Sequence, residues 1–109
     1  MANYSKGDLI LVRYPFTDHS TAKVRPAIAV SAPHPSDEVF IVPLTSRTTS
    51  LRAGEFVMID WKKAGLNVIS AVKRGLFTIH HDLIIKTVGR VTVKDSEVLD
   101  RSLREWLAL

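Results

Sequence analysis

Short apolar runs broken by turn residues, rather than long amphipathic stretches, set the pattern of most of this chain. "DLILVRY" (8–14) reads as a strand closed by Pro15 and the turn-prone "TDHST". "PAIAVS" (26–31) is a second, ended by "APHPSD", whose two prolines exclude both a helix and a central strand. "EVFIVPLT" (38–45) is a third, and Pro43 predicts that its far end lies at a sheet edge or bulge. Further strands are expected over 55–60, 70–75 and 86–93, with Gly89 marking a bulge in the last. So many short strands at close spacing predict a small barrel rather than a parallel sheet. Only "KDSEVLDRSLREWLAL" (94–109) has a helical period, with Val98, Leu99, Leu103, Trp106 and Leu107 near a spacing of 3.6. Its "DSE" offers a cap and first-turn acids, and the helix is expected to pack on the barrel. The polar stretch 46–55 reads as a mobile loop.

Composition narrows this picture without redirecting it. At 109 residues and 46% hydrophobic, the chain suits one globular domain, residues 1–109. The absence of cysteine removes disulfides and thiolate metal sites. "MANYSKGD" has no apolar signal region and no apolar run approaches a membrane span, so a cytoplasmic protein is expected. The net charge of +4 and a pI near 9.7 suit a polyanionic partner, although folding would have to gather the scattered cations into a patch. No glycine pattern matches a dinucleotide or Walker loop, and the acids show no pairing suited to glycoside chemistry.

Four histidines raise the question of a metal. In "HHD" (80–82), strand neighbours His80 and His81 would point to opposite faces, so the segment reads as a polar connection and no metal site is expected. His19 and His34 fall in loops. "KVRPAIAV" is sharper. Proline biases Arg25 toward extended backbone at the mouth of a rigid strand, a firm mount for a cation. The structural alternative is an ordinary ion pair, for instance with Asp18. "VPLTSR" ends its strand with Thr45, Ser46 and Arg47, so hydroxyl and guanidinium groups are expected to converge at neighbouring strand ends.

Taken in order, "GDLILVRYPFTD", "KVRPAIAVS", "VPLTSR", "AGLNVISAVKRGLFTI" and a C-terminal helix resemble the MazF/PemK family of toxin ribonucleases from toxin–antitoxin modules, over nearly the whole chain. The resemblance implies an SH3-like β-barrel with appended helices. It further implies a homodimer that cuts single-stranded RNA without a metal or cofactor and is neutralised by a cognate antitoxin. On this likeness Arg25 and Thr45 are the catalytic pair, with Ser46 beside them. Lys73 or Arg74 follows the serine at position 70, but Gly75 stands where an acid is expected. Cleavage would then proceed by attack of a ribose 2′-OH on the adjacent phosphate. Arg25 would stabilise the transition state, Thr45 would orient the phosphate, and His19 is a speculative proton carrier. Lys73, Arg74, Lys23 and Arg47 would hold flanking phosphates, and Tyr14, Phe16 and Trp61 are either base-stacking platforms or core. Two alternatives stay open: a catalytically inactive nucleic-acid binder, and a CcdB-like module that poisons a partner enzyme.

Overall fold

A computed structural model describes residues 4–14 and 23–109. Phe16, Asp18 and His19 therefore lie outside the described residues. Seven strands form one antiparallel sheet in the order β4-β5-β3-β2-β1-β7, and β6 also pairs with β3. They are β1 (Asp8–Tyr14), β2 (Lys23–Ala29), β3 (Glu38–Thr45), β4 (Phe56–Val57), β5 (Ala71–Val72), β6 (Phe77–His80) and β7 (Ile84–Arg90). A single 3-10 turn, His81–Leu83, links β6 to β7, and helix α1 (Val93–Leu107) follows. The mainly-β architecture with one C-terminal helix is the one expected from the sequence.

Alternation along the strands builds two cores, one on each face of the sheet. Ile10, Val12 and Tyr14 of β1 meet Ala27, Ala29, Val39, Ile41 and Ile79 on one face. Leu9, Ile28, Val42, Leu44 and Val72 face the other way and are covered by Met58, Ala64 and by Leu99, Leu103 and Trp106 of α1. The helix thus packs on the sheet, as its period requires.

Several boundaries differ from the sequence reading, each for a physical reason. Pro43 does not mark an edge: β3 has β2 on one side and β6 then β5 on the other. Its proline falls where the second neighbour changes, because the β6 ladder ends at Ile41 and the β5 ladder starts at Leu44. The strands expected over 55–60 and 70–75 shrink to two residues each, and the rest of both segments is turn or irregular. Strand β2 starts earlier than expected and includes Arg25. Of the connection expected over 80–82, His80 ends β6, which the sequence reading did not foresee, while His81 and Asp82 fall in the 3-10 turn that links β6 to β7. The Gly89 bulge is present: Leu9 pairs with Gly89 but Ile10 with Thr87. A Cβ at Gly89 would overlap the carbonyl oxygen of Ala64, so only glycine fits.

Helix α1 begins at Val93 with Thr92 as its N-cap, one residue earlier than expected. Asp95 is not the cap. It is fully buried in the first turn, and its carboxylate accepts the Ile59 and Asp60 N–H groups at 3.0 and 2.9 Å. The positive end of the helix dipole favours an acid there. The far half of the 46–55 loop is tied to the same helix. The Ser102 hydroxyl donates to Gly54 O at 2.6 Å and Trp106 Nε1 donates to Ala53 O at 3.0 Å.

Candidate functional site

The site follows from strand register. In the β2–β3 ladder Ala29 pairs with Ile41, Ile28 with Val42 and Ala27 with Pro43. Continued by two residues, the same register sets Arg25 opposite Thr45, on the face that carries Ala27, Ala29 and Ile41. On β1, Tyr14 follows Ile10 and Val12 on that face. The row of core residues therefore does not end in solvent but in a polar mouth.

A cleft of about 440 Å³ occupies this mouth. Tyr14 and Arg25 form one wall, Pro43, Leu44 and Thr45 its floor, and Lys73, Arg74 and Phe77 the other wall. Among the described residues, no carboxylate or imidazole lines it, and none forms an ion pair with Arg25, Lys73 or Arg74. Among the described residues, three cations thus face one opening with no carboxylate paired to their side chains, an arrangement suited to a polyanion.

Local chemistry prepares each side chain. The Thr45 Oγ1 accepts the Arg47 N–H at 3.1 Å, which fixes the hydroxyl oxygen and leaves its proton free to donate. Tyr14 is only 8% exposed, and its hydroxyl is buried with no hydrogen-bond partner among the described residues. Burial pushes its pKa up from the usual 10.0, while the nearby Arg25 charge pulls it down. Its hydroxyl is accordingly a neutral donor at neutral pH. Little of the Tyr14 ring is exposed, and Trp61 is partly buried against the second core.

The structure brings Arg25, Thr45, Lys73, Arg74 and Tyr14 together. Lys23 pairs with Tyr14 across the ladder, and Ser46 and Arg47 follow Thr45, but these three are exposed and do not line the cleft. Sequence reasoning missed Phe77, although its alternation with Ile79 after Gly75 is a strand signal. It also missed Glu55, which holds the cationic wall from behind. The Glu55 carboxylate accepts the Arg52 N–H at 2.7 Å and the Arg74 N–H at 2.8 Å. These two backbone hydrogen bonds hold its pKa below the usual 4.5, with smaller help from the Lys73 and Arg52 charges. At Gly75, a Cβ would lie 3.3 Å from the Phe77 ring and 3.4 Å from Pro43, so glycine lets these cleft-lining side chains approach closely.

Sheet and cleft define a small β-rich protein whose core face opens into an anion-accepting mouth. Comparison with known proteins gives that class a name. The family described as PemK-like, MazF-like toxin of type II toxin-antitoxin system matches residues 5–107, and the chain belongs to it. Among solved structures, it is similar to an endoribonuclease in complex with its cognate antitoxin from a mycobacterial species. That match has 18% identity and a TM-score of 0.77, covering 100% of this chain and 97% of the other. It is also similar to the Mycobacterium tuberculosis toxin MazF-mt6, at 20% identity and TM-score 0.74, covering 94% and 97% of the two chains. MazF from Deinococcus radiodurans matches at 16% identity and TM-score 0.74, covering 100% and 99%. Among curated proteins, none matches the sequence at a significant level. No helix among the described residues is long and apolar enough to cross a membrane.

Proposed function

We propose that this protein is a toxin endoribonuclease that cuts single-stranded RNA by attack of a ribose 2′-OH on the adjacent phosphate. The observation that carries this reading is the convergence of Arg25, Thr45, Lys73 and Arg74 on one cleft. Arg25 is fitted to the central task, since its planar fork gives two hydrogen bonds to phosphate oxygens and keeps its charge at any working pH. The Thr45 hydroxyl, its oxygen already bonded to a backbone N–H, orients the phosphate. The buried Tyr14 hydroxyl adds a neutral donor from the core side. Lys73 and Arg74 hold phosphates on either side of the cut, and single-stranded substrate fits because its backbone is free to bend into the mouth. Among the described residues, the donor set lining the cleft, guanidinium, ammonium and hydroxyl, contains no group that binds a divalent cation strongly, which supports a metal-independent reaction. Such a protein works in the cytoplasm, where its RNA is found.

The antitoxin is the partner proposed by family membership. Beside Arg74, a groove of about 130 Å³ between Leu76 and Leu103, Trp106 and Leu107 extends the cationic cleft with apolar surface. This suits a partner segment that is acidic at one end and apolar at the other.

One assay tests the reaction. A long RNA is incubated with the purified protein, cut sites are mapped, and a single deoxyribose is then placed at the scissile nucleotide. The cut should vanish at that position and persist in EDTA. Cleavage at an unchanged rate through the deoxy position would show that water is the nucleophile, and retention of RNA without cuts would make the protein a binder only.

A further inference from the structure

The end of β3 remote from the cleft carries a second cluster of chemically active side chains. Thr45 closes the strand at the cleft, and Asp37 immediately precedes its first residue, roughly 25 Å away at ~3.3 Å per residue. Asp37 has a left-handed backbone, φ 62°. Its N–H donates to His34 O at 2.9 Å and its carbonyl accepts the His81 N–H at 2.8 Å. The main chain thereby holds this carboxylate against the end of β6.

The expectation that His80 and His81 diverge rests on strand alternation continuing through both, and here it stops. Strand β6 ends at His80 and the 3-10 turn starts at His81. The two rings consequently lie with centroids 4.7 Å apart, tilted by 33°. One potential ligand atom from each of Asp37, His80 and His81 lies within 4.8 Å of the others.

Hydrogen bonding assigns the atoms. The Nε2 of His81 faces Asp82 Oδ1 at 3.0 Å, so its proton points there and the lone pair belongs to Nδ1. That Nδ1 is buried, has no hydrogen-bond partner among the described residues, and stands 3.5 Å from Asp37 Oδ1. A buried, unpartnered imidazole nitrogen beside a carboxylate, with a second carboxylate behind the ring, is the arrangement that orients metal-bound histidines. His80 Nδ1 accepts the Asp82 N–H at 3.1 Å, a bond to an exposed residue that water can replace when the nitrogen coordinates.

We propose that Asp37, His80 and His81 form a binding site for one divalent d-block cation, zinc foremost, separate from the RNA cleft and independent of the function proposed for it. Two imidazoles and one carboxylate are a donor set that suits zinc, and they disfavour magnesium and calcium, which prefer oxygen. Ligand atoms around a tetrahedral zinc stand roughly 3.3 Å apart. Closing from 4.8 Å needs only side-chain rotation, because the Asp37 and His80 side chains are 59% and 49% exposed. The same exposure gives the ion access and leaves a fourth position for water. A bound ion would fasten the turn before β3 to the β6–β7 junction.

The test is calorimetric titration of untagged, metal-free full chain with zinc, paired with thermal unfolding. Wild type should bind one equivalent saturably and unfold at a higher temperature when loaded, while millimolar magnesium gives neither effect. Asp37→Asn, which suits the left-handed backbone, and His81→Gln should each weaken zinc at least tenfold; His34→Gln should stay within twofold. If His81→Gln does not fold, His80→Gln takes its place in the comparison. Absence of saturable zinc binding below millimolar concentration would overturn the proposal, as would unchanged affinity in the folded Asp37 and histidine variants. Either result would make the cluster a set of His–Asp pairs only.

Discussion

In the proposed mechanism, Arg25 would carry a large functional weight for a small structural stake. It is exposed at the head of β2 and pairs with no carboxylate of the described residues. Arg25→Ala should therefore change stability by less than ~0.5 kcal/mol. Single-turnover cleavage should fall by about 10²-fold or more, because the lost interaction is made in the transition state. Arg25→Lys should stay strongly impaired, since a point charge cannot reproduce the bidentate fork. Wild-type cleavage by Arg25→Ala in the same preparation that is used for unfolding would defeat the mechanism. Tyr14 poses the opposite test. Its hydroxyl is buried without a hydrogen-bond partner among the described residues, so Tyr14→Phe should leave the melting temperature unchanged or raised. If that hydroxyl is kept for the phosphate, cleavage should drop by roughly tenfold, and a rate equal to wild type would assign the group to packing alone. Both residues were legible in the sequence, Arg25 through its proline and Tyr14 through its strand, but the role of Tyr14 was not. Whether an aromatic shows its face or its edge depends on which side of the sheet is enclosed, and local pattern does not say.

At the scale of elements, strands β1 and β3 were read with their observed limits because each is a long alternating run bounded by turn residues. Strands β4 and β5 were over-read, since pairing over two residues each is set by partners distant in sequence. The fault at 80–81 was similar: a change from strand to 3-10 turn rotates side chains without leaving a mark on hydrophobic periodicity. The segment that presents Lys73 and Arg74 is tied to Glu55, whose carboxylate accepts the Arg74 N–H across from the end of the 46–55 loop and the Arg52 N–H within that loop. Because its pKa is depressed in the folded state, its stabilising effect is complete above the usual 4.5 and is lost as pH falls through the folded value. The melting-temperature difference between wild type and Glu55→Gln should accordingly be constant above about pH 6 and shrink toward zero in more acidic buffer. A difference that is independent of pH down to unfolding would mean that the carboxylate charge contributes nothing.

Across the whole molecule, exposed large apolar side chains are spread over several elements, and three of them, Ile59, Val68 and Ile69, lie between β4 and β5, 64, 55 and 48% exposed. If the chain forms the homodimer that the family resemblance implies, this segment is where a second copy is expected to cover it. Light scattering at tens of micromolar should report about twice the 12.2 kDa chain mass, and Val68→Asp with Ile69→Asp should return it to one. A monomer in the unmutated protein at that concentration would remove the homodimer from this account.

The ladder between β1 and β7 joins residues 8–12 to residues 84–90, so the sheet is stitched together from the two ends of the chain. Every residue that lines the cleft lies between positions 14 and 77, inside that stitch. Strand β7 begins only seven residues after Phe77, so the strand that covers the outer edge of β1 follows directly on the last of the cleft residues. The face of β3 that holds Val42 and Leu44 waits for Leu99, Leu103 and Trp106 of the last helix. Long-range pairing of this kind closes large loops and forms slowly. Under the function proposed above, activity should therefore appear only once β7 has paired with β1 and α1 has docked on the sheet.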